Sequence, residues 1–462
     1  MSGLLSETSV PSLSVSALSA LARKHRVPGA QFAIHHGGTT AASEVGELEF
    51  RTGRRVTRDA AFPIGSVTKC FTATVAMILV ADGDVDLDAP IGDYVPDLDD
   101  LGTMLSLRHL LSHTSGLSDS SGVEEASAST LRRYVAEHVC RKNLVLPPGA
   151  GFSYSNPGYA LIGWLIETVT GMSWSEAVKS ILFRPLDIEP AFVNLPGTKP
   201  PRRPFATGHS VNTAAGRTRP VRQSGAPGEA PAGALALSAV DLVRLGLIHV
   251  GTGISQLLPA ACAGQMRQAV PCADPFGLAD GWGLGLAVYR QETADWVGHD
   301  GNADGMCCYL RINPADGWVV ALTSNASTGV GLWQDLLAEL AQAGVPIDPP
   351  RAPVPGGLHI VPPSSCAGWY VNGEVEYEVA AGGNGSLHIS VDGDSPVPLT
   401  LHDDLTFSLP DPNSGRHVLG GRFVREPATG KVFGIQVGGR LARKQVFPHT
   451  TPAAGERYAP TG

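Results

Sequence analysis

Charged and aromatic side chains are scarce in this 462-residue sequence, at 17% and 6% of its residues. The formal net charge is -9, and no basic run interleaved with aromatic residues is present, so a nucleic-acid partner is not expected. Hydrophobic residues make up 43% of the chain, which is enough for a large packed core and argues against global disorder. The length predicts two domains.

No segment has the pattern of a secretory signal or of a membrane span. The first 29 residues lack a basic start followed by a continuous apolar core, and their spaced leucines and valines predict an amphipathic helix instead. No apolar run reaches the ~20 residues that cross a bilayer. The sequence therefore predicts a cytoplasmic protein without a membrane partner.

Metal-binding patterns are also missing. Seven cysteines are scattered along the chain, at Cys70, Cys140, Cys262, Cys272, Cys307, Cys308 and Cys366. Such a set is typical of free thiols in a reducing compartment. His109 and His113 lie four residues apart, but they lack the acidic residue of the zinc-protease pattern and an evident third ligand. We expect no metal and no cofactor, and we interpret both histidines as anchors of a helix predicted over 105–117.

The stretch 62–81 places a serine and a lysine three residues apart at the start of an apolar run. Gly65 allows a tight backbone turn before a helix, and no glycine or proline interrupts residues 71–80. A helix can therefore start at Ser66. Residues three apart lie on one helix face, which lets Ser66 and Lys69 touch. Burial lowers the pKa of a lysine, so Lys69 can take the proton of Ser66 and make it a nucleophile. Alone the pair is weak, because chance also produces it and a solvated lysine is the plainer interpretation.

Tyr154-Ser155-Asn156 leads into an apolar helix predicted over 158–170. Residues two apart in an extended segment face the same way. Tyr154 can then relay a proton between the serine and the leaving group, with Asn156 holding Lys69 or a substrate amide. A turn tyrosine is the alternative interpretation.

His299-Asp300-Gly301 ends a predicted strand at a glycine-bearing turn. Gly301 allows a substrate to approach the strand edge. The backbone N–H of Asn302 can pair with that of Ser66 as an oxyanion hole. A hairpin histidine and a glycine required by the bend are the plainer interpretations.

The order of predicted elements indicates two kinds of domain. Helix, strands, a largely helical insert, and then strands and a helix again form an α+β pattern over residues 1–344. Residues 345–357 are rich in proline and predict a stiff linker. Short alternating runs with glycine and aspartate turns predict a small antiparallel β domain over 358–462.

Together and in this order, four stretches resemble the serine β-lactamase and penicillin-binding-protein superfamily, in its class C-like branch. They are FPIGSVTKCFTATVAMILVADGDVDLDAPIGDYVPDL at 62–98, LSLRHLLSHTSGL at 105–117, YSNPGYALIGWLIETVTG at 154–171 and GHDG at 298–301. The resemblance covers about residues 27–343. It implies an antiparallel sheet packed on helices beside a helical subdomain, with the active site between them.

The resemblance also implies roles for individual residues. Ser66 would be the acylated nucleophile, Lys69 its base and Tyr154 the second proton carrier. Asn156 would be a polar partner, and His299 with Gly301 would line the sheet edge.

One motif departs from the family pattern. Penicillin-recognising members usually carry Lys-Thr-Gly where this chain has His299-Asp300-Gly301. A permanent cation that would hold a substrate carboxylate is replaced by a histidine that titrates near neutrality. The departure argues against β-lactam hydrolysis and against carboxypeptidase activity on cell-wall peptides. Related His-x-Gly members include esterases, D-amino-acid-specific peptidases and the penicillin-binding-protein-type thioesterases that release and cyclise nonribosomal peptides.

Two features favour the thioesterases: the missing export signal and a C-terminal β domain that resembles their lipocalin-like domain. This resemblance implies that Ser66 takes a peptidyl group from a thioester on the carrier domain of a nonribosomal peptide synthetase. The amine of the same peptide would then attack the acyl-serine and release a macrolactam. With water as the acceptor, the protein would be a cytoplasmic esterase or D-peptidase, and that alternative stays open. An exported cell-wall enzyme is disfavoured by the N-terminus, and an idle binding module by the presence of every motif residue.

Overall fold

The structure is a computed structural model that describes residues 14–98, 100–119, 130–251, 257–292, 294–348, 357–383, 385–410 and 417–445. Its helices are α1 Val15–Lys24, α2 Thr68–Asp82, α3 Leu101–Met104, α4 Leu107–Leu111, α5 Leu131–His138, α6 Asn156–Thr170, α7 Trp174–Ala177, α8 Ala230–Gly233, α9 Ala239–Gly246, α10 Ala260–Arg267 and α11 Gly329–Gln342. Strands before the predicted linker are β1 Gly29–His36, β2 Thr39–Gly46, β3 Phe62–Pro63, β4 Gly208–Asn212, β5 Arg217–Val221, β6 Ala236–Leu237, β7 Gly281–Trp282, β8 Ala287–Tyr289, β9 Trp296–Ala303, β10 Met306–Asn313 and β11 Trp318–Ser324. Strands after it are β12 Gly368–Asn372, β13 Val375–Ala381, β14 Leu387–Val391, β15 Val397–Leu401, β16 Thr406–Pro410, β17 His417–Arg425, β18 Val432–Val437 and β19 Arg440–Lys444.

An antiparallel sheet is the centre of the first domain, with the spatial order β2-β1-β11-β10-β9-β8-β7. Strands β1 and β11 are neighbours, so the two ends of this domain meet inside one sheet. The short strand β8 pairs with β9 only from Trp296 to Gly298. From His299 onward, the β9 edge on that side has no strand partner among the described residues.

Both faces of the sheet are covered by helices. Along β10, Cys308 and Leu310 belong to the apolar core that contains α2, whereas Cys307 and Tyr309 belong to the core that contains α11. This division follows from the period of two in a strand, which sends successive side chains to opposite faces. The result is a helix-sheet-helix arrangement of the α+β class, as predicted.

Helix α2 is the core element that presents the Ser-x-x-Lys pair. It begins after a 3-10 turn at Gly65–Val67, and its residues 68–79 are all buried. The stretch 65–82 is long and apolar enough to span a membrane, but 78% of it is buried inside the fold. The apolar side chains of α2 are therefore accounted for by packing within the protein. The helix ends at Gly83, which has the left-handed φ of 83° that glycine adopts readily at a helix end.

The helix predicted over 105–117 is shorter in the structure. It is α4, Leu107–Leu111, with Ser106 as its N-cap. The backbone of His113 has a φ of 56°, which no right-handed helix contains. Ser112 and Thr114 also hydrogen-bond to each other through their hydroxyls at 2.8 Å, and such local bonds compete with helix formation.

The last eight described strands, β12 to β19, close into an antiparallel barrel. Its interior is filled by side chains that include Tyr370, Phe407, Phe423 and Ile435. A barrel of eight strands is just wide enough for side chains to fill it. The predicted small antiparallel β domain is thus confirmed. Residues 349–356 of the predicted linker lie outside the described residues, and the domain limits at 344 and 358 stay a prediction.

The barrel packs directly on the first domain through the β18–β19 hairpin. Gly438 and Gly439 form its two-residue turn with φ values of 53° and 75°, the positive angles that a type I′ turn needs. The carbonyl of Gly439 accepts a hydrogen bond from the backbone N–H of Tyr154 at 3.0 Å. On the neighbouring β12, the Asn372 amide accepts from the N–H of Asp119 at 2.8 Å and donates to Leu441 O at 2.7 Å.

Replacing Asn372 by alanine tests this docking. Asn372 is 1% exposed, so the substitution leaves a buried N–H and a buried carbonyl without partners. The expected loss in the free energy of unfolding is about 1–3 kcal/mol. Denaturant titration measures it, with the exposed Thr213→Ala as a control that changes stability by less than ~0.5 kcal/mol. Equal stabilities of the two variants would contradict the docking contact.

Candidate active site

The predicted nucleophile and base lie next to each other. Lys69 Nζ is 3.2 Å from Ser66 Oγ and 2.9 Å from the carbonyl oxygen of Ala232. The Lys69 side chain is fully buried, and this burial lowers its pKa to about 7. Near neutral pH, a large fraction of the amine is therefore uncharged. Such an amine can donate to Ala232 O while its lone pair accepts the proton of Ser66.

Tyr154 lines the same cavity as Ser66. Burial raises the pKa of the Tyr154 phenol, and its interaction with the Ser66 side chain offsets part of that rise. The phenol is therefore protonated at neutral pH and can donate. The ring lies 4.9 Å from Lys69 Nζ and 4.9 Å from the guanidinium carbon of Arg440.

His299 is neutral in this setting. Burial, followed by the positive charge of Lys69, lowers its pKa to about 4. Its Nδ1 lies 2.6 Å from the carbonyl oxygen of Asp300, which places the ring proton on Nδ1 and leaves Nε2 as an acceptor. Nε2 has no hydrogen-bond partner in the described part of the chain. The strand therefore presents a neutral acceptor at the position where penicillin-recognising relatives carry a cation.

The β9 backbone touches the turn that precedes the serine. A Cβ on Gly301 would collide with the carbonyl of Ile64, and a Cβ on Gly65 would lie 2.9 Å from the carbonyl oxygen of Asn302. Gly65 also has a φ of 50°, so glycine is favoured there on both counts. The close packing brings the Asn302 backbone next to the turn that carries Ser66, and both residues line one cavity.

Asn156 is placed differently from the other predicted residues. It is the first residue of α6, and its backbone N–H donates to Asp119 Oδ1 at 2.8 Å. Within the described residues, its side chain makes no hydrogen bond to Lys69, whose second partner is Ala232 instead. It is also not among the described residues that line the cavity at Ser66.

A cavity of about 230 Å³ opens at these groups, lined by Ser66, Tyr154, Leu278, Trp282, Tyr289, His299, Asp300, Asn302 and Arg440. A larger cavity of about 460 Å³ adjoins it and shares the lining residues Leu278, Tyr289, Asp300 and Asn302. The two form a path along the open edge of β9. Such a path fits an extended chain better than a single compact molecule.

Arg440 is a charged residue of this cavity that was not predicted from the sequence, and the lining residues Leu278, Trp282 and Tyr289 were not predicted either. Arg440 is the first residue of β19 in the barrel, and its Nε lies 2.5 Å from Asp119 Oδ2. Asp119 in turn holds the backbone of Asn156, so one carboxylate links the barrel to the start of α6. The Gly438-Gly439 turn is visible in the sequence, but nothing there indicates that the hairpin reaches Ser66.

His113 supports Tyr154 from behind. The two rings stack with centroids 4.2 Å apart, and His113 Nδ1 accepts from the N–H of Ser155 at 3.2 Å. Burial lowers the pKa of His113 well below its usual value, so it is neutral. His113 therefore lies after α4 and holds the Tyr154–Ser155 segment, whereas the sequence predicted it within the helix. Among the described residues there is no cluster of side chains suited to a metal ion.

The sequence profile of the Beta-lactamase family matches residues 15–344. The chain belongs to this family. Penicillin-binding protein 4 of Amycolatopsis lactamdurans is 32% identical over 353 residues, which are 73% of this chain and 92% of that relative. The serine hydrolase assignment therefore rests on family membership as well as on the residues around Ser66.

Solved structures extend the likeness. That of SurE is 39% identical, with a TM-score of 0.84 and coverage of 93% of this chain and 98% of that one. A second SurE structure, with D-Leu, gives a TM-score of 0.81. A D-stereospecific amidohydrolase from Streptomyces is 27% identical, with a TM-score of 0.56 and coverage of 69% of this chain and 96% of that one.

Substitution of Asp119 and substitution of Arg440 should shift the pH dependence of kcat/KM in opposite directions. Protonated Lys69 cannot accept the Ser66 proton, so kcat/KM for an ester should fall below a pH of about 7. The charge of Asp119 raises the pKa of Lys69 and that of Arg440 lowers it. Asp119→Asn should therefore move the acid limb to lower pH, and Arg440→Gln should move it to higher pH.

The measurement is kcat/KM for a small chromogenic ester across the pH range. Arg443→Gln, an exposed arginine on the same strand β19, is the matched control and should leave the limb in place. Shifts of the same sign in Asp119→Asn and Arg440→Gln would show that Lys69 is not the group that titrates.

Proposed function

We propose that this protein is a serine acyltransferase that takes a peptidyl group from a carrier-bound thioester onto Ser66. It then releases the group by head-to-tail macrolactam formation. The carrier is the peptidyl carrier domain of a nonribosomal peptide synthetase. The observation that carries the proposal is the position of Arg440, which brings the C-terminal barrel into the wall of the cavity at Ser66.

In the acylation step, Ser66 Oγ attacks the thioester carbonyl while its proton passes to the neutral amine of Lys69. The oxyanion would be held by the backbone N–H groups of Ser66 and Asn302. The C–S bond breaks, and the thiolate takes a proton through the hydroxyl of Tyr154. The product is a peptidyl ester on Ser66 and a free thiol.

In the release step, the N-terminal amine of the same peptide attacks that ester. Its proton passes through Tyr154 and Lys69 to Ser66 Oγ as the C–O bond breaks, so the enzyme returns to its starting state. The amine must compete with water. The barrel wall at Arg440 favours the amine because it covers one side of the acyl-serine, and the adjoining cavity gives the peptide room to fold back.

The extent of the likeness to SurE supports a role for the barrel. It spans 93% of this chain at 39% identity, whereas the likeness to the D-stereospecific amidohydrolase spans 69%. The SurE structure with D-Leu is consistent with a D-residue in the substrate. Free thiols at all seven cysteines fit the reducing cytoplasm, where such a synthetase would deliver its peptide.

Hydrolysis is the second candidate function. It is favoured by the 27% identity to the D-stereospecific amidohydrolase from Streptomyces, which this chain covers over 96% of its length. The same Ser66, Lys69 and Tyr154 would serve, with water in place of the amine. The chain would then be an esterase or a D-peptidase.

Product analysis separates the two functions. The protein is incubated with a peptidyl thioester that carries a C-terminal D-residue, and the products are identified by mass spectrometry. We expect the cyclic peptide, smaller than the linear acid by one water. Linear acid alone, across thioesters of several lengths, would refute the cyclase and support the hydrolase.

The barrel contribution is tested with the same substrate in Arg440→Gln. Loss of the guanidinium opens the wall at Tyr154, so the ratio of cyclic to linear product should fall. Arg443→Gln is again the matched control and should keep the wild-type ratio. An unchanged ratio in Arg440→Gln would mean that the barrel does not steer the acceptor.

A further inference from the structure

A basic surface lies beside the active site of this acidic protein. The chain has 43 acidic residues, yet residues 190–228 contain none of them. The same segment carries the exposed basic residues Lys199, Arg202, Arg217, Arg219 and Arg222, besides Arg203, which is buried and paired with Asp241. A local excess of one charge against a net charge of -9 gives this side of the molecule a distinct electrostatic potential.

The geometry of the β4–β5 hairpin directs two of these arginines outward. His209 is buried, so the face of β4 that contains His209 is the inner one. Ser210 and Asn212 are exposed on the opposite face, and they pair across the hairpin with Arg219 and Arg217. The two arginines therefore form a ladder on the solvent side.

Two arginines on this hairpin face and Arg222, directly after β5, are available to a partner. Arg217, Arg219 and Arg222 are exposed, and none makes an ion pair within the described part of the chain. We name them the arginine face. The nearby carboxylates of Glu49 and Asp304 are already engaged, by Arg54 and by Ser224 respectively.

The arginine face is fixed to the turn that follows the catalytic strand. Asp304, in the β9–β10 turn, accepts from the backbone N–H of Ser224 at 2.7 Å and from its hydroxyl at 2.9 Å. Its carbonyl also accepts from the Gln223 amide at 3.1 Å. Asp304 is only two residues beyond Asn302, which lines the cavity at Ser66. The hairpin is therefore held at the rim of the site.

A second set of contacts holds the hairpin on its inner side. His209 Nδ1 lies 2.8 Å from the carbonyl oxygen of Asn325, and its Nε2 accepts from the N–H of Phe50 at 3.1 Å. The turn after Phe50 brings in Arg51 and Arg55, which are exposed and extend the positive surface. The basic residues thus sit on a rigid platform.

We infer that the arginine face is the docking surface for the peptidyl carrier domain, through carboxylates on the carrier surface around its thioester arm. This inference rests on the proposed function. The net charge of -9 disfavours the approach of an acidic partner, and the exposed arginines of this face offset that repulsion at the rim of the site. Such complementarity raises the rate of productive encounter and selects the approach that leads to the rim of the site.

The experiment uses Arg217→Glu/Arg219→Glu in the full chain with two forms of one peptide, on an acidic carrier domain and on N-acetylcysteamine. We expect the KM for the carrier-bound peptide to rise about tenfold or more at unchanged kcat, since rim charges act mainly on association. Both constants for the small thioester should stay at the wild-type values. The effect on the carrier-bound peptide should shrink as salt is added, because salt screens exposed charges.

Arg425→Glu/Arg443→Glu on the barrel is the matched control, since it makes the same change in charge away from the hairpin. An equal rise in KM in this control, or no rise in the hairpin variant, would overturn the docking assignment. Failure of the proposed function would show differently, as wild-type protein that is inactive on both thioesters. In that case, we compare how tightly the carrier domain alone binds to Ser66→Ala and to the triple variant Ser66→Ala/Arg217→Glu/Arg219→Glu. Weaker binding to the triple variant supports the docking surface, and equal binding refutes it.

Discussion

The chemistry of this protein depends on one amine kept out of water. Lys69 is fully buried on α2, and burial brings its pKa to about 7, so it can serve as a base for Ser66 only 3.2 Å away. The apolar helix and the two cores around the sheet are what maintain that burial. Neutral His299 and His113 follow from the same constraint, because burial and the charge of Lys69 lower the pKa of both.

The barrel joins this arrangement through a charge pair. Arg440 alone would lower the pKa of Lys69 and Asp119 alone would raise it, so the carboxylate opposes the effect of the guanidinium that the barrel brings to Tyr154. Asp119 also holds the backbone at Asn156, which ties the barrel to the first turn of α6. The two domains therefore share one site. The arginine face lies at the rim of that site and is the proposed docking surface for the carrier domain.

The sequence could predict those parts of the site that depend on local spacing along the chain. Ser66 and Lys69 lie three residues apart, in the 3-10 turn and in the first turn of α2, and Tyr154 and His299 stand in recognisable motifs, so their proximity could be predicted from the sequence. It could not predict contacts made by distant segments, such as Ala232 O at Lys69 or Arg440 at Tyr154. The sequence also predicted a His299 that titrates near neutrality, and this prediction is wrong. Burial lowers the pKa of His299 to about 4, and that burial arises from tertiary packing, which the local sequence does not show.

Direct observation of the acyl-enzyme tests whether Ser66 is the nucleophile. The protein is mixed with a peptidyl thioester, quenched in acid within the first turnover and examined as intact protein by mass spectrometry. We expect a mass increase equal to the peptidyl acyl group, located by peptide mapping on Ser66 and lost in Ser66→Ala. An adduct on another residue, or full turnover by Ser66→Ala, would contradict the assignment.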